Sequence, residues 1–179
     1  MSSHDLFRLI DIKTDDISDY KHTAMLLVFP SCLGKCKNCQ NSKLQKRIKF
    51  NDIFVTAESV INYYNRLKTH SAIVCAGLEP FDSFYDLKDI FECFVDSAKK
   101  QENDFVIYTG YYYDEIKENV DELHDYLKRN NKNNTKRLII KFGRYDETQP
   151  NKKGDINPIL GVTLATCNQY VISYESNIL

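Results

Sequence analysis

The sequence lacks any apolar run long enough to cross a bilayer. Its longest, such as 25–29 and 73–76, fall far short of the ~20 residues a transmembrane helix needs. Met1 is followed by polar residues and Asp5, not by the apolar core of a secretory signal. A cytoplasmic protein with no membrane partner is therefore expected. Charge of one sign is also missing. The net charge is −1 at pH 7, without the basic excess that binding to phosphate backbones requires, so nucleic acid is excluded as a partner class. Two local basic stretches, one holding Lys43, Lys46, Arg47 and Lys49 and the other spanning 128–137, read as solvated surface. There is no internal repeat, and only 130–134, rich in Asn and Lys, reads as an exposed loop. With 179 residues the chain has room for one compact domain, 1–179, and not comfortably for two.

What is present is cysteine, in an uneven distribution. Of the six, Cys32, Cys36 and Cys39 fall within eight residues, whereas Cys75, Cys93 and Cys167 are scattered and read as inert thiols. In a reducing compartment such a cluster points to metal binding or catalysis rather than to disulfides. Thiolates are soft ligands suited to iron–sulfur clusters or zinc, and Gly34 lets the loop close tightly. A 4Fe-4S cube held by three cysteines leaves one iron open, as a catalytic metal site does. The alternative is a zinc site completed by Cys75 or by a histidine such as His22. No second CxxC pair is present to complete a zinc ribbon.

Around the cysteines, element types alternate. The apolar runs 25–29, 72–76, 105–108 and 138–142 have the pattern of strands buried on both faces. Between them, 58–68, 83–100 and 114–129 carry apolar residues near the helical period. Lys99 and Lys100 suit the end of the second helix, and Asp114 is expected to cap the third. Alternation of this kind predicts an α/β fold with right-handed crossovers and a parallel sheet, in which ligands collect at the carboxyl ends of the strands. The unusual residues all follow strand ends: the cysteine loop, Gly77-Leu78-Glu79-Pro80, Thr109-Gly110-Tyr111 and Gly143-Arg144-Tyr145.

The spacing C-x3-C-x2-C over Cys32, Cys36 and Cys39 resembles the signature of the radical S-adenosylmethionine (SAM) superfamily. Gly77-Leu78-Glu79-Pro80 resembles its Gly-Gly-Glu-Pro segment, with Leu78 in place of the second glycine. Tyr108-Thr109-Gly110-Tyr111, together with Cys39-Gln40-Asn41, resembles the activating enzymes of anaerobic ribonucleotide reductase over nearly the whole chain. The resemblance implies an incomplete (βα)6 barrel of the radical SAM type, with outer helices, a 4Fe-4S cluster and SAM as cofactors. It implies that Gly77, Leu78, Glu79 and Pro80 receive the methionyl amino group of SAM, and that Asn38 and Asn41 belong to the cofactor site; Asn38 stands where many members carry an aromatic residue. Thr109 either bonds the SAM ribose or carboxylate or satisfies a backbone group at the strand end. Lys141 either pairs with the SAM carboxylate or snorkels to solvent. No catalytic residue beyond the cluster ligands is implied. The implied partners are the glycyl-radical subunit of anaerobic ribonucleotide reductase and a flavodoxin- or ferredoxin-type electron donor. A radical SAM enzyme acting on a small molecule or peptide, or a non-catalytic zinc or iron–sulfur module, are the other readings.

Overall fold

The computed structural model describes residues 5–34, 36–39, 41–46, 52–97, 103–151 and 159–176. Its elements are β1 (Phe7–Leu9), β2 (Asp11–Asp16), β3 (Ala24–Phe29), α1 (Ser42–Gln45), β4 (Ile53–Val55), α2 (Ala57–Arg66), β5 (Ala72–Gly77), α3 (Phe84–Asp96), β6 (Asn103–Tyr108), α4 (Lys117–Asn130), β7 (Lys136–Phe142) and β8 (Tyr170–Tyr174). The four apolar runs form β3, β5, β6 and β7, which lie side by side in that order and run parallel. Register aligns Leu27 with Cys75, Cys75 with Ile107 and Ile107 with Ile140. The fold is therefore mixed α/β with a mostly parallel sheet. Among the described residues no helix is long and apolar enough to cross a membrane.

β3, β5, β6 and β7 follow chain order across the sheet, so right-handed crossovers place the helices between them on one face. Side chains alternate between the two faces. Leu27, Cys75, Ile107 and Ile140 pack with Ile61, Leu87, Phe91 and Leu123 of the helices. Leu26, Val28, Val74, Val106 and Ile139 face the other way, towards Ile10, Tyr20 and Val162. Among the described residues Leu44 of α1 is the one helical side chain packed on that second face, which contributes Leu26 and Val28 to the cavity described below.

Two of the six strands of this sheet depart from an all-parallel arrangement. β2 and β8 pair antiparallel at its edges. The link 17–23 between β2 and β3 is too short for a crossover, which needs a dozen or more residues. These edge strands escape a search for apolar runs because their exposure is mixed: Asp11–Asp16 alternates exposed and half-buried positions, and Tyr170–Tyr174 is half-buried throughout. A second sheet pairs β1 with β4.

Helix ends follow local chemistry. α2 starts with a reciprocal capping box between Thr56 and Ser59. Asp114 does not cap α4 as expected. It lies in a 3-10 turn, Tyr113–Glu115, and α4 begins after Ile116 without a side-chain cap. The turn forms because the Glu115 carboxylate accepts from the Tyr112 N–H at 2.8 Å and is held by Arg144 through two bonds of 2.7 and 2.8 Å. Lys99 and Lys100 lie outside the described residues. The C-terminal end of α3 is instead served by buried Lys136, whose Nζ donates to the carbonyls of Phe94 and Ser97, placing a cation at the negative end of the helix.

Candidate functional site

A cavity of about 770 Å³ runs along the carboxyl ends of β3, β5, β6 and β7. All three clustered cysteines line it, and each is half-buried. Their loop leaves β3 after Phe29 and closes around Gly34. A Cβ on Gly34 would stand 3.3 Å from Cys32 Sγ and 4.0 Å from Cys36 Sγ, so the absent side chain keeps the space beside two thiols clear. Asn38 turns the chain between Cys36 and Cys39 at φ +55°, a left-handed conformation that Asn tolerates better than most residues. This turn carries the Asn38 side chain out of the cavity lining, where its amide donates to Glu147; Lys37 Nζ is 3.6 Å from the same carboxylate. Asn38 is thus a turn residue tied to the segment after β7, not a cavity residue as expected.

Neither proposed fourth zinc ligand stands with the thiols. His22 precedes β3 and lines a separate hollow with Thr69 and Ser71, the full length of a six-residue strand away. Cys75 points to the helical face, fully buried, and burial pushes its thiol well up. Cys93, half-buried on α3, is likewise pushed up by burial, and Cys167 is exposed.

The segment after β5 lies directly against the cysteine loop. The Leu78 N–H donates to Phe29 O at 3.4 Å, Glu79 N–H to Ser31 O at 2.6 Å, and Asn41 Nδ2 to Gly77 O at 2.5 Å. This approach requires glycine at 77, where φ is +98° and a Cβ would lie 2.6 Å from Val28 Cγ1. Leu78, by contrast, is not among the residues with positive φ, so the place of a second glycine is filled without backbone strain. Pro80 opens a 3-10 turn, Pro80–Ser83, and is buried beneath the site rather than lining it.

Glu79 is 6% exposed. Its Oε1 accepts from Phe81 N–H at 3.1 Å and from the Thr109 hydroxyl at 2.8 Å, and its Oε2 accepts from Gly110 N–H at 2.8 Å. Burial outweighs these donors and raises its pKa to about 7. Thr109 lines the cavity, and its oxygen also accepts from Tyr111 N–H at 3.0 Å. Its proton goes to Glu79, so it positions that carboxylate. Lys141 shares the inner face with Ile139 by strand alternation. It lines the cavity, is 8% exposed, and has Nζ 5.0 Å from the Tyr108 ring centroid. Burial lowers its pKa to about 8, against the opposing pull of Asp19 and Glu79. Lys141 therefore does not snorkel away.

Residues 22–155 match the family described as the 4Fe-4S single cluster domain. The chain belongs to this family. No curated protein matches it.

The residue types suit a 4Fe-4S cluster, although among the described residues no three His, Cys, Asp or Glu side chains stand grouped as for a metal ion. Three soft thiols open on one cavity, with Gly34 leaving room beside two of them. Burial, followed by the negative charges of Glu79 and Asp82, raises the Cys32 pKa, opposed in part by the Gly34 carbonyl bond. Bound iron would supply the positive charge that a thiolate there requires. The cluster-domain site also includes groups that sequence reasoning did not assign. Gly143, at φ +105°, brings Arg144 and Tyr145 to the mouth. Thr163, Leu164 and Gln169 return from the far end of the chain, with Gln169 Nε2 donating to Gly143 O at 3.1 Å. The glycine after β7 was a legible signal, but nothing in the pattern of 159–169 marked it as cavity wall.

Proposed function

We propose that this cluster-domain protein is a radical SAM enzyme that generates a glycyl radical on anaerobic ribonucleotide reductase. One observation carries the reading. Glu79 and Lys141, buried and of opposite charge, line the same cavity as the three cysteines. A buried carboxylate and a buried ammonium, each disfavoured by desolvation, make a receptor for the zwitterionic end of an amino acid. Glu79 receives an ammonium and Lys141 a carboxylate. The methionyl end of SAM has this chemistry. The 4Fe-4S single cluster domain also occurs in radical SAM-like proteins. Four sequential parallel strands, with helices on one face and a cavity on the other, support the incomplete-barrel architecture of that superfamily.

Cys32, Cys36 and Cys39 would hold the cluster, and three ligands leave one iron free for substrate. When loaded, the cluster with SAM would supply one-electron reductive chemistry, the electron coming from the external donor, for hydrogen-atom abstraction from a glycine of the reductase. Thr109 and Gly110 fix the Glu79 carboxylate, and Asn41 fixes the carbonyl of Gly77. Lys43 and Lys46 are exposed beside the cysteine loop, and they offer a basic rim to an acidic protein partner. Lys35, Arg47 and Lys49, which extend that rim in sequence, lie outside the described residues.

The test is anaerobic reconstitution with iron and sulfide, followed by assays for SAM cleavage with a flavodoxin or ferredoxin as donor and for a glycyl radical on the cognate reductase. Both activities are expected. SAM cleavage without any glycyl radical would favour a small-molecule or peptide substrate, and stoichiometric zinc without iron uptake would refute the reading.

A further inference from the structure

Asp82 is half-buried in the 3-10 turn Pro80–Ser83 and joins three strand-end loops. Its Oδ2 accepts from the Leu33 N–H, one peptide beyond Cys32. Its Oδ1 accepts from the Tyr111 hydroxyl at 2.7 Å. Among the described residues these neutral donors are the only partners of the carboxylate. Two other carboxylates carry cation partners, Asp104 with Arg137 and Glu115 with Arg144, whereas Asp82, like Glu79, is held by neutral donors alone. Among the described residues no cation forms an ion pair with Asp82, and its charge sits beside the first cysteine.

We propose that Asp82 holds the iron–sulfur cluster of this protein at a low reduction potential, as a positioning and field-setting residue rather than a ligand. The inference rests on the assignment of Cys32, Cys36 and Cys39 as cluster ligands. Reduction adds one electron to the cluster, with no bond made and no proton taken, and a one-electron donor is oxidised in balance. The added electron makes the cluster more negative by one unit, so a fixed carboxylate nearby disfavours it. Asp82 also engages the Leu33 N–H, and hydrogen bonds from backbone amides to cluster sulfurs are among the features that set iron–sulfur potentials. Both effects lower the potential. Charges about 10 Å apart at an effective dielectric near 20 bias such an equilibrium roughly tenfold, which for one electron is about 59 mV. A low potential suits a centre that must pass its electron to a poor acceptor such as a sulfonium.

The experiment is a potentiometric titration of the reconstituted protein with dithionite, followed by electron paramagnetic resonance, on the parent, Asp82→Asn and Tyr111→Phe. Asp82→Asn removes the charge and keeps the shape. With iron content equal to the parent, its midpoint should rise by about 59 mV, a tenfold shift. Tyr111→Phe keeps the carboxylate and its bond to Leu33, so its midpoint should match the parent or fall below it. A fully loaded Asp82→Asn with an unchanged or lower midpoint overturns the proposal. So does a rise in Tyr111→Phe, which would assign the potential to loop order rather than charge, and an Asp82→Asn that takes up too little iron to titrate would assign Asp82 to loading of the site and overturn the proposal as well. A parent that takes up no iron would instead refute the cluster assignment.

Discussion

The junction between the cysteine loop and the strand beside it depends on the absence of a side chain at Gly77. Replacing Gly77 with Ala places a Cβ 2.6 Å from Val28 Cγ1, 3.1 Å from Phe29 N and 3.2 Å from Val28 Cα. Two of these neighbours are backbone atoms of β3 and cannot rotate away. The residue must also keep φ near +98°, where a non-glycine residue costs about 1–3 kcal/mol. Overpacking of a filled region adds about 1–3 kcal/mol. The sum, roughly 2–6 kcal/mol, is a large share of the ~5–15 kcal/mol that holds a domain folded. Urea unfolding under anaerobic conditions, read by circular dichroism, should show that loss. Reconstituted iron should fall as well, because the Leu78 and Glu79 amides would lose their register on the loop. Adding Val28→Ala removes the Cγ1 contact but not the φ strain or the Phe29 contact. The double variant should therefore recover part of the loss, with a coupling of about 1–2 kcal/mol. A Gly77→Ala protein within about 0.5 kcal/mol of the parent, with normal iron content, would refute the reasoning, and strict additivity with Val28→Ala would refute its steric part.

The remaining predictions concern the cavity. Cys32→Ala, Cys36→Ala and Cys39→Ala should each abolish the iron–sulfur chromophore, whereas Cys93→Ala and Cys75→Ala should retain it; iron and sulfide analysis decides. SAM binding should be bell-shaped in pH. Glu79 must ionise to receive an ammonium, so affinity rises as pH increases through about 7, and Lys141 must stay protonated to receive a carboxylate, so affinity falls above about 8. In equilibrium binding measurements, Glu79→Gln should remove the acid limb and Lys141→Met the alkaline limb, each with a roughly tenfold or greater loss at the optimum; a profile flat from pH 6 to 9 in the parent would exclude this pair as the receptor. Thr109→Val removes one donor from the Glu79 carboxylate, so the midpoint of the acid limb should move to higher pH, and an unmoved limb would show that Thr109 does not position Glu79.

The sequence by itself determined a good deal of this protein. Apolar runs of five residues or fewer between helical patterns could only be buried strands, and they became β3, β5, β6 and β7 because burial on both faces of a parallel sheet leaves no alternation to misread. The three cysteines were legible as a candidate cluster site because thiols supplied by one loop lie close along the chain, and the structure places all three on one cavity. Gly77 and Gly143 were legible as strand-end residues, although not the contacts that require them. The tertiary structure decided what depends on direction. Strand alternation turned Lys141 into the cavity and Cys75 away from it, a choice that a run of apolar residues does not record. The left-handed turn at Asn38 carried its amide out to Glu147, and the Thr109 hydroxyl came to donate to Glu79. Edge strands β2 and β8 and the wall at Thr163 and Gln169 came from segments whose polar or mixed character carries no period. Their places follow from which backbone edge and which cavity side remained uncovered once the central sheet had formed, and a linear pattern does not contain that information.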